Sequence, residues 1–544
     1  MRRWLITGGL TAALAGLWGW AGPVGPAAAA GREAGAAPAR GPGAVAPVAW
    51  GECPETDYQD AGFECGFLAV PLDHARPGGA TIRLAVTRHQ HTAPAADYQG
   101  VVISNPGGPG SSGRYLAGMG GWLPAEVGAA YDFVGFDPRG VGASEPTLSC
   151  DSGYFAAGRP AYVPDRPGVE RAGRARTSGY AADCARTRSP LLAHLRTTDT
   201  AADLELLRKA LGQEKFTFYG FSYGTYLGQV YDTRYPGRLR RMVLDGVKDP
   251  ERLGYRAAQD QERGFDVTVK AFFAWVADHD DVYHLGASGP AVERRYYRVL
   301  ADLTARPRLD GQLGPAEWTD TFVGPAYGVY GWAYVAGLFS AAVNDGAWQP
   351  VLDNWYSFNS TAPGADAGYA ARLGQVCTDS PWPASWSTWR SDTWRVHRAA
   401  PFNAWGNAWY DAPCRVWPVP AGRPVTVRGS ATPVLLINET LDAATPFSGA
   451  LTVRRLFPRA SLVEGVGGTT HSGSFSGVSC VDGAVAAFLG QGVLPPRTAG
   501  DHADRACPPV PAPDPSARVA ALGPVPGRVV GAGVTRPGGS GLGG

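Results

Sequence analysis

The stretch Gly220-Phe221-Ser222-Tyr223-Gly224 constrains this chain more than any other. It follows the apolar run 216–219 and precedes a helix-like stretch, 223–235. A strand, then G-x-S-x-G, then a helix makes a sharp turn that exposes the serine in a strained conformation. The pattern occurs once in 544 residues. The plain alternative is a chance turn that contains a serine. The partners that a nucleophile needs decide between the two readings.

A serine nucleophile needs a base, and the base needs an orienting acid. Behind such a turn the chain order is Ser, acid, His. Three of the nine histidines lie beyond residue 300: His397, His471 and His502. His397 sits in a Trp-rich region, and His502 lies among Asp501, Asp504 and Cys507 close to a Pro-rich tail. His471 follows a short strand, 461–464, and the Gly-rich loop 465–470, and it is the expected base. The run Pro433-Val-Leu-Leu-Ile-Asn438 reads as a buried strand, and Asp442 follows it in Leu441-Asp-Ala-Ala-Thr-Pro446. Asp442 is the expected acid, with Glu439 and Asp245 as the other candidates. The bland role for Asp442 is to cap the helix that Thr445-Pro446 begins.

A developing oxyanion needs N–H donors. One is expected from Tyr223, the residue after the nucleophile. The other is expected from Asn105-Pro-Gly-Gly-Pro-Gly-Ser-Ser-Gly113, which follows the strand 100–104. Gly107 and Gly108 are both candidates there. A phosphate loop would need a lysine in Gly-Lys-Ser/Thr, and no lysine is near. A further strand, 131–136, leads into Asp137-Pro-Arg-Gly-Val-Gly-Ala-Ser144. This alternation fits a parallel sheet with helices on both faces.

Taken together, NPGGPGSSG, FVGFDPRGVGAS, YGFSYGTYLG, LDAATP and GTTHSG resemble the secreted actinobacterial tripeptidyl/prolyl aminopeptidases. The resemblance covers roughly residues 50 to 507. It implies an α/β-hydrolase fold and a serine exopeptidase that removes short units from peptide N-termini. It carries over Ser222, Asp442 and His471 as the triad. In this family the strand before the acid often ends in glycine, whereas this chain has Ile437-Asn438-Glu439. An esterase or lipase using the same triad is the alternative. A non-catalytic binding protein on this scaffold is disfavoured by the intact triad residues.

The region 251–425 interrupts the sheet pattern and reads as a large, mainly helical cap insertion, with helices over 259–276 and 291–305. The core halves are then 49–250 and 426–507. Twelve of the 17 tryptophans fall between Trp275 and Trp417. Packing within the cap explains most of them, and some are expected to line an apolar cleft. An aminopeptidase must also hold a free ammonium, for which a carboxylate in a closed cleft is the physical answer. Asp379 and Glu439 are the candidates.

Residues 1–30 read as an export signal: Met1-Arg-Arg3, an apolar stretch from Trp4 to Trp20, then Ala28-Ala-Ala30. Residues 31–48 read as a flexible leader, and 508–544 as a disordered Pro/Gly-rich tail that could contact the cell wall. No later segment has the length of a membrane span. A net charge of +1 gives no support for nucleic-acid binding. A monomer with no cofactor and no metal is expected. All eight cysteines lie beyond residue 50, which suggests disulfides in an exported chain. Eight cysteines allow 105 pairings. The simplest is sequential: Cys53–Cys65, Cys150–Cys184, Cys377–Cys414 and Cys480–Cys507. Zinc is the alternative, but no C-x-x-C pair exists.

Overall fold

A computed structural model describes residues 45–515. The expected signal, leader residues 31–44 and tail residues 516–544 lie outside the described residues.

Ten strands form one sheet: β1 (Gly51–Glu52), β2 (Glu64–Pro71), β3 (Thr81–His89), β4 (Val101–Asn105), β5 (Asp132–Phe136), β6 (Phe216–Phe221), β7 (Leu239–Asp245), β8 (Val434–Glu439), β9 (Ala460–Gly465) and β10 (Arg505–Cys507). Their order is β1-β2-β3-β5-β4-β6-β7-β8-β9-β10. The ladders from β5 to β10 are parallel, and those joining β1, β2, β3 and β5 are antiparallel. This is the mostly parallel α/β-hydrolase sheet. Every residue of β4, β6 and β8 is buried, as runs like Val-Leu-Leu-Ile require when helices cover both faces. The β2–β3 hairpin was not anticipated. Buried Leu68, Val70, Ile82 and Leu84 alternate with exposed residues, as in strands with one face on the core, whereas Leu84 to Thr87 are buried on both faces where β3 meets β5.

Between β7 and β8 the described elements are helical, from Tyr255–Asp278 to Ala404–Asp411. The tryptophans pack mainly on one another: Trp382 stacks on Trp389 at 5.7 Å and Trp386 on Trp409 at 4.9 Å. The open cleft beside the Asn105–Gly113 loop, about 510 Å³, has Phe155, Phe358, Tyr369 and Tyr410 as its aromatic lining and no tryptophan. The packed body also extends past both expected core boundaries, since Val48 and Val510 are 5% and 6% exposed.

The cysteines pair in sequential order, Cys53–Cys65, Cys150–Cys184, Cys377–Cys414 and Cys480–Cys507. Thiol titration of denatured, unreduced protein should therefore find no reactive cysteine. Four or more thiols would overturn the framework. Reduction should lower the melting temperature, because each bridge typically contributes about 2–4 kcal/mol.

Candidate active site

Ser222 sits between β6 and the helix Tyr223–Arg234 with φ 54° and ψ −124°. A non-glycine residue pays for positive φ, and such strain concentrates at functional sites. The flanking glycines permit the turn. A Cβ at Gly220 would lie 2.5 Å from Gly224 O, and one at Gly224 would lie 2.5 Å from Asn105 O. The Ser222 N–H donates to Asp245 O at 2.9 Å, and Ser222 O accepts from Thr225 N–H at 2.9 Å. These bonds tie the elbow to the end of β7.

The oxyanion loop lies directly against the serine. A Cβ at Gly107 would come within 2.9 Å of Ser222 Cβ and 3.0 Å of Tyr223 N. Gly107 and Gly108 are not equivalent, however. The Gly107 N–H donates to Asn105 Oδ1 at 3.0 Å. The N–H groups of Gly108 and Tyr223 donate to no protein acceptor among the described residues. The Gly108 N–H is thus free to donate, and the Gly107 N–H is not.

His471 and Asp442 meet as expected. The imidazole Nδ1 lies 2.8 Å from Asp442 Oδ2, and both side chains are buried. Asp442 Oδ1 accepts from the N–H groups of Ala444 and Thr445, each at 2.9 Å, and Oδ2 accepts from Thr445 Oγ1 at 2.7 Å. The carboxylate is thus fixed before it meets the ring. Nε2 on the far side of the ring is buried and has no hydrogen-bond partner among the described residues. A Cβ at Gly246 would lie 2.8 Å from His471 Cε1. Asp245 carries the Ser222 bond and Gly246 underlies the ring, so the end of β7 brings serine and histidine together. Asn438 braces this junction, accepting from Val247 N–H at 2.7 Å and donating to Thr445 O at 3.0 Å.

The other acid candidates do something else. Asp245 accepts from Gly473 N–H at 3.2 Å and from the N–H of Ser474 at 2.9 Å, so it holds the chain just after His471. Burial pushes its pKa up to about 6. Glu439 accepts from the N–H groups of Thr470 and Val510. Asp379 accepts from Thr197 N–H at 2.9 Å and from the Thr197 hydroxyl, which also meets the Tyr223 phenol. Asp379 and Glu439, the carboxyls expected to bind a substrate ammonium, are each engaged by backbone or hydroxyl donors in this structure.

Sequence reasoning missed Glu262. It is 2% exposed, on the helix Tyr255–Asp278, and its Oε2 has no partner among the described residues. Burial, and next the charge of Asp411, push its pKa up to about 9. That helix lies on the acid loop: Gln261 Nε2 donates to Ala444 O at 2.8 Å, and a Cβ at Gly264 would lie 2.8 Å from Ala443 Cα. Phe265 packs on Tyr327 at 4.8 Å, and Tyr327 O accepts from His471 N–H at 2.8 Å. Asp411 itself pairs with Arg372 at 2.6 Å, and Arg372 lines the cleft at the oxyanion loop. Among the described residues there is no cluster that could hold a metal ion, and no helix is long and apolar enough to cross a membrane.

The tripeptidyl aminopeptidase of Streptomyces coelicolor is 38% identical over 472 residues, covering 84% of this chain and 86% of that one. The chain belongs to the tripeptidyl aminopeptidase family. The profile of the TAP-like protein family matches residues 400–507, the part that carries Asp442 and His471. The serine protease Hip1 of Mycobacterium tuberculosis is 32% identical over 478 residues, covering 83% of this chain and 90% of its own. Carboxylesterase B of the same organism is 32% identical over 510 residues, covering 87% and 94%.

Proposed function

We propose that this protein is an exported serine exopeptidase that releases short units, tripeptides or single residues, from free peptide N-termini. Ser222 attacks the scissile carbonyl, His471 Nε2 takes its proton, and Asp442 holds the imidazole in the required tautomer. The N–H groups of Tyr223 and Gly108 receive the oxyanion. His471 then protonates the leaving amine, and water releases the acyl group by the same steps in reverse. The observation that carries this reading is the fixed Asp442–His471 pair, packed against the same end of β7 that holds the strained serine, with Nε2 buried and without a partner among the described residues. Kinship with a tripeptidyl aminopeptidase supports the substrate class.

The amine anchor is Glu262. Glu262 Oε2 is buried without a partner and burial favours the protonated acid; a substrate ammonium supplies both a donor and a positive charge that stabilise the carboxylate. Asp411 adds to the negative potential there. Peptides with free and acetylated N-termini, with products read by mass spectrometry, test this. The free form should be preferred about a hundredfold in kcat/KM, and Glu262→Gln should erase most of that preference. Equal cleavage of both forms by the wild type would favour the second reading, an esterase or endopeptidase. Kinship with carboxylesterase B keeps that reading open. A preference that survives in Glu262→Gln would remove Glu262 alone.

A further inference from the structure

The catalytic histidine is held on both sides by buried carboxyls. Asp245 takes the N–H groups of residues 473 and 474, just after the ring. On the other side, Glu439 takes the N–H of Thr470, the residue immediately before His471. Glu439 is 4% exposed, yet it has no cationic partner among its hydrogen bonds. Its second oxygen, Oε1, accepts from Val510 N–H at 2.6 Å. The carboxyl fills a space walled by glycine backbone. A Cβ at Gly468 would lie 2.3 Å from its Cδ, and one at Gly465 would lie 3.0 Å from Oε1.

Val510 stands three residues past β10. That strand is the last in the sheet, and Cys507 joins it to Cys480 on the helix Ser479–Gln491. Val466 N–H donates to Cys507 O at 3.0 Å. Beyond this anchor the chain is Pro508-Pro509-Val510-Pro511, a sequence with one backbone donor among four residues. That one donor goes to Glu439, and the Val510 side chain is 6% exposed, close to Gly473 on the far side of the histidine.

We infer that residues 508–510 are a strap that sets the position of His471, with Glu439 as the positioning residue joining the strap to Thr470. The stretch after the last strand is thereby part of the catalytic apparatus and not a bare tail. The geometry explains why an acid stands at the end of β8. A carboxylate has two oxygens, and each holds one of two chain segments that share no direct backbone hydrogen bond. A glutamine offers only one carbonyl oxygen, and its amide group would point an N–H at a backbone N–H.

The inference rests on His471 as the base, which loss of fluorophosphonate labelling in His471→Ala checks separately. The full-length chain serves for the test. Glu439→Gln should lower kcat about ten- to thirtyfold with KM within about twofold, because the base is displaced while the substrate site is not. Val510→Pro deletes the N–H and should give a similar loss. Val510→Ala keeps the N–H and should stay within about threefold of the wild type in kcat, with a lower melting temperature. The double variant Glu439→Gln/Val510→Pro should be no slower than the worse single variant, because both break one linkage. Wild-type kcat in Val510→Pro would overturn the strap, as would multiplicative losses in the double variant. A fall in titratable active sites that matches the fall in rate would make the effect one of folding, and would also overturn it.

Discussion

Ser222→Ala is expected to lower kcat by about a millionfold and to abolish covalent labelling by a fluorophosphonate. The variant should fold as the wild type does. The hydroxyl makes no hydrogen bond among the described residues, whereas the backbone bonds of residue 222 to Asp245 O and from Thr225 N–H remain. Alanine also keeps the positive φ of 54°, so the strain in the elbow persists and the melting temperature should move little. Ser222→Gly separates the two effects. It should be equally inactive but relieved of strain that typically amounts to about 1 kcal/mol or more, partly offset by glycine's entropy in the unfolded chain. What remains in either variant is the hydrogen bonding of the oxyanion donors and the binding of the substrate, which keep some rate over water. Labelling that persists in Ser222→Ala would place the nucleophile elsewhere and end the triad assignment.

The parts legible in the sequence were those dictated by local chemistry. The elbow was readable because Gly220 and Gly224 face backbone oxygens that leave no space for a Cβ. The strand before Asp442 was readable from the unbroken apolar run Val434-Leu-Leu-Ile437, whereas the burial of Asn438 and Glu439 at its end was not. Sequential cysteine pairing was the simplest arithmetic and is the one found. The choice between Gly107 and Gly108 was not legible, since it depends on where the Asn105 side chain turns. Glu262 was invisible for a different reason. A glutamate in an amphipathic helix ordinarily faces water, and only its burial without a donor distinguishes it. Asp379 and Glu439 looked free for the converse reason: the backbone N–H groups that occupy them come from residues far away in the chain. Both carboxyls serve the site through the bonds they make here. Asp379 fixes the Tyr223 phenol through Thr197, and Glu439 fixes the residue before the base.

Asp442→Asn is the second large effect, with an expected loss of about 10⁴ in kcat and little change in KM. The argument runs through the donors around the carboxylate. Oδ1 accepts two backbone N–H groups, from Ala444 and Thr445, so the asparagine oxygen is drawn to that position. Its amide nitrogen then stands where Oδ2 accepted from Thr445 Oγ1 and from the ring. An N–H now faces His471 Nδ1, which can meet it only as an acceptor. The imidazole is driven to the tautomer that carries its proton on Nε2, and in that form it cannot take a proton from Ser222. The fold should survive, because the loop's backbone bonds to the side chain are kept. Asp245→Asn provides the contrast. It weakens the hold on residues 473 and 474 but leaves the Asp442–His471 pair intact, so a smaller loss of about tenfold is expected, together with lower thermal stability. Single-turnover rates for the two variants on one unblocked tripeptide substrate decide the matter. If Asp245→Asn proves the slower by a wide margin, the orienting acid is Asp245 and the observed Asp442–His471 contact is not the working pair.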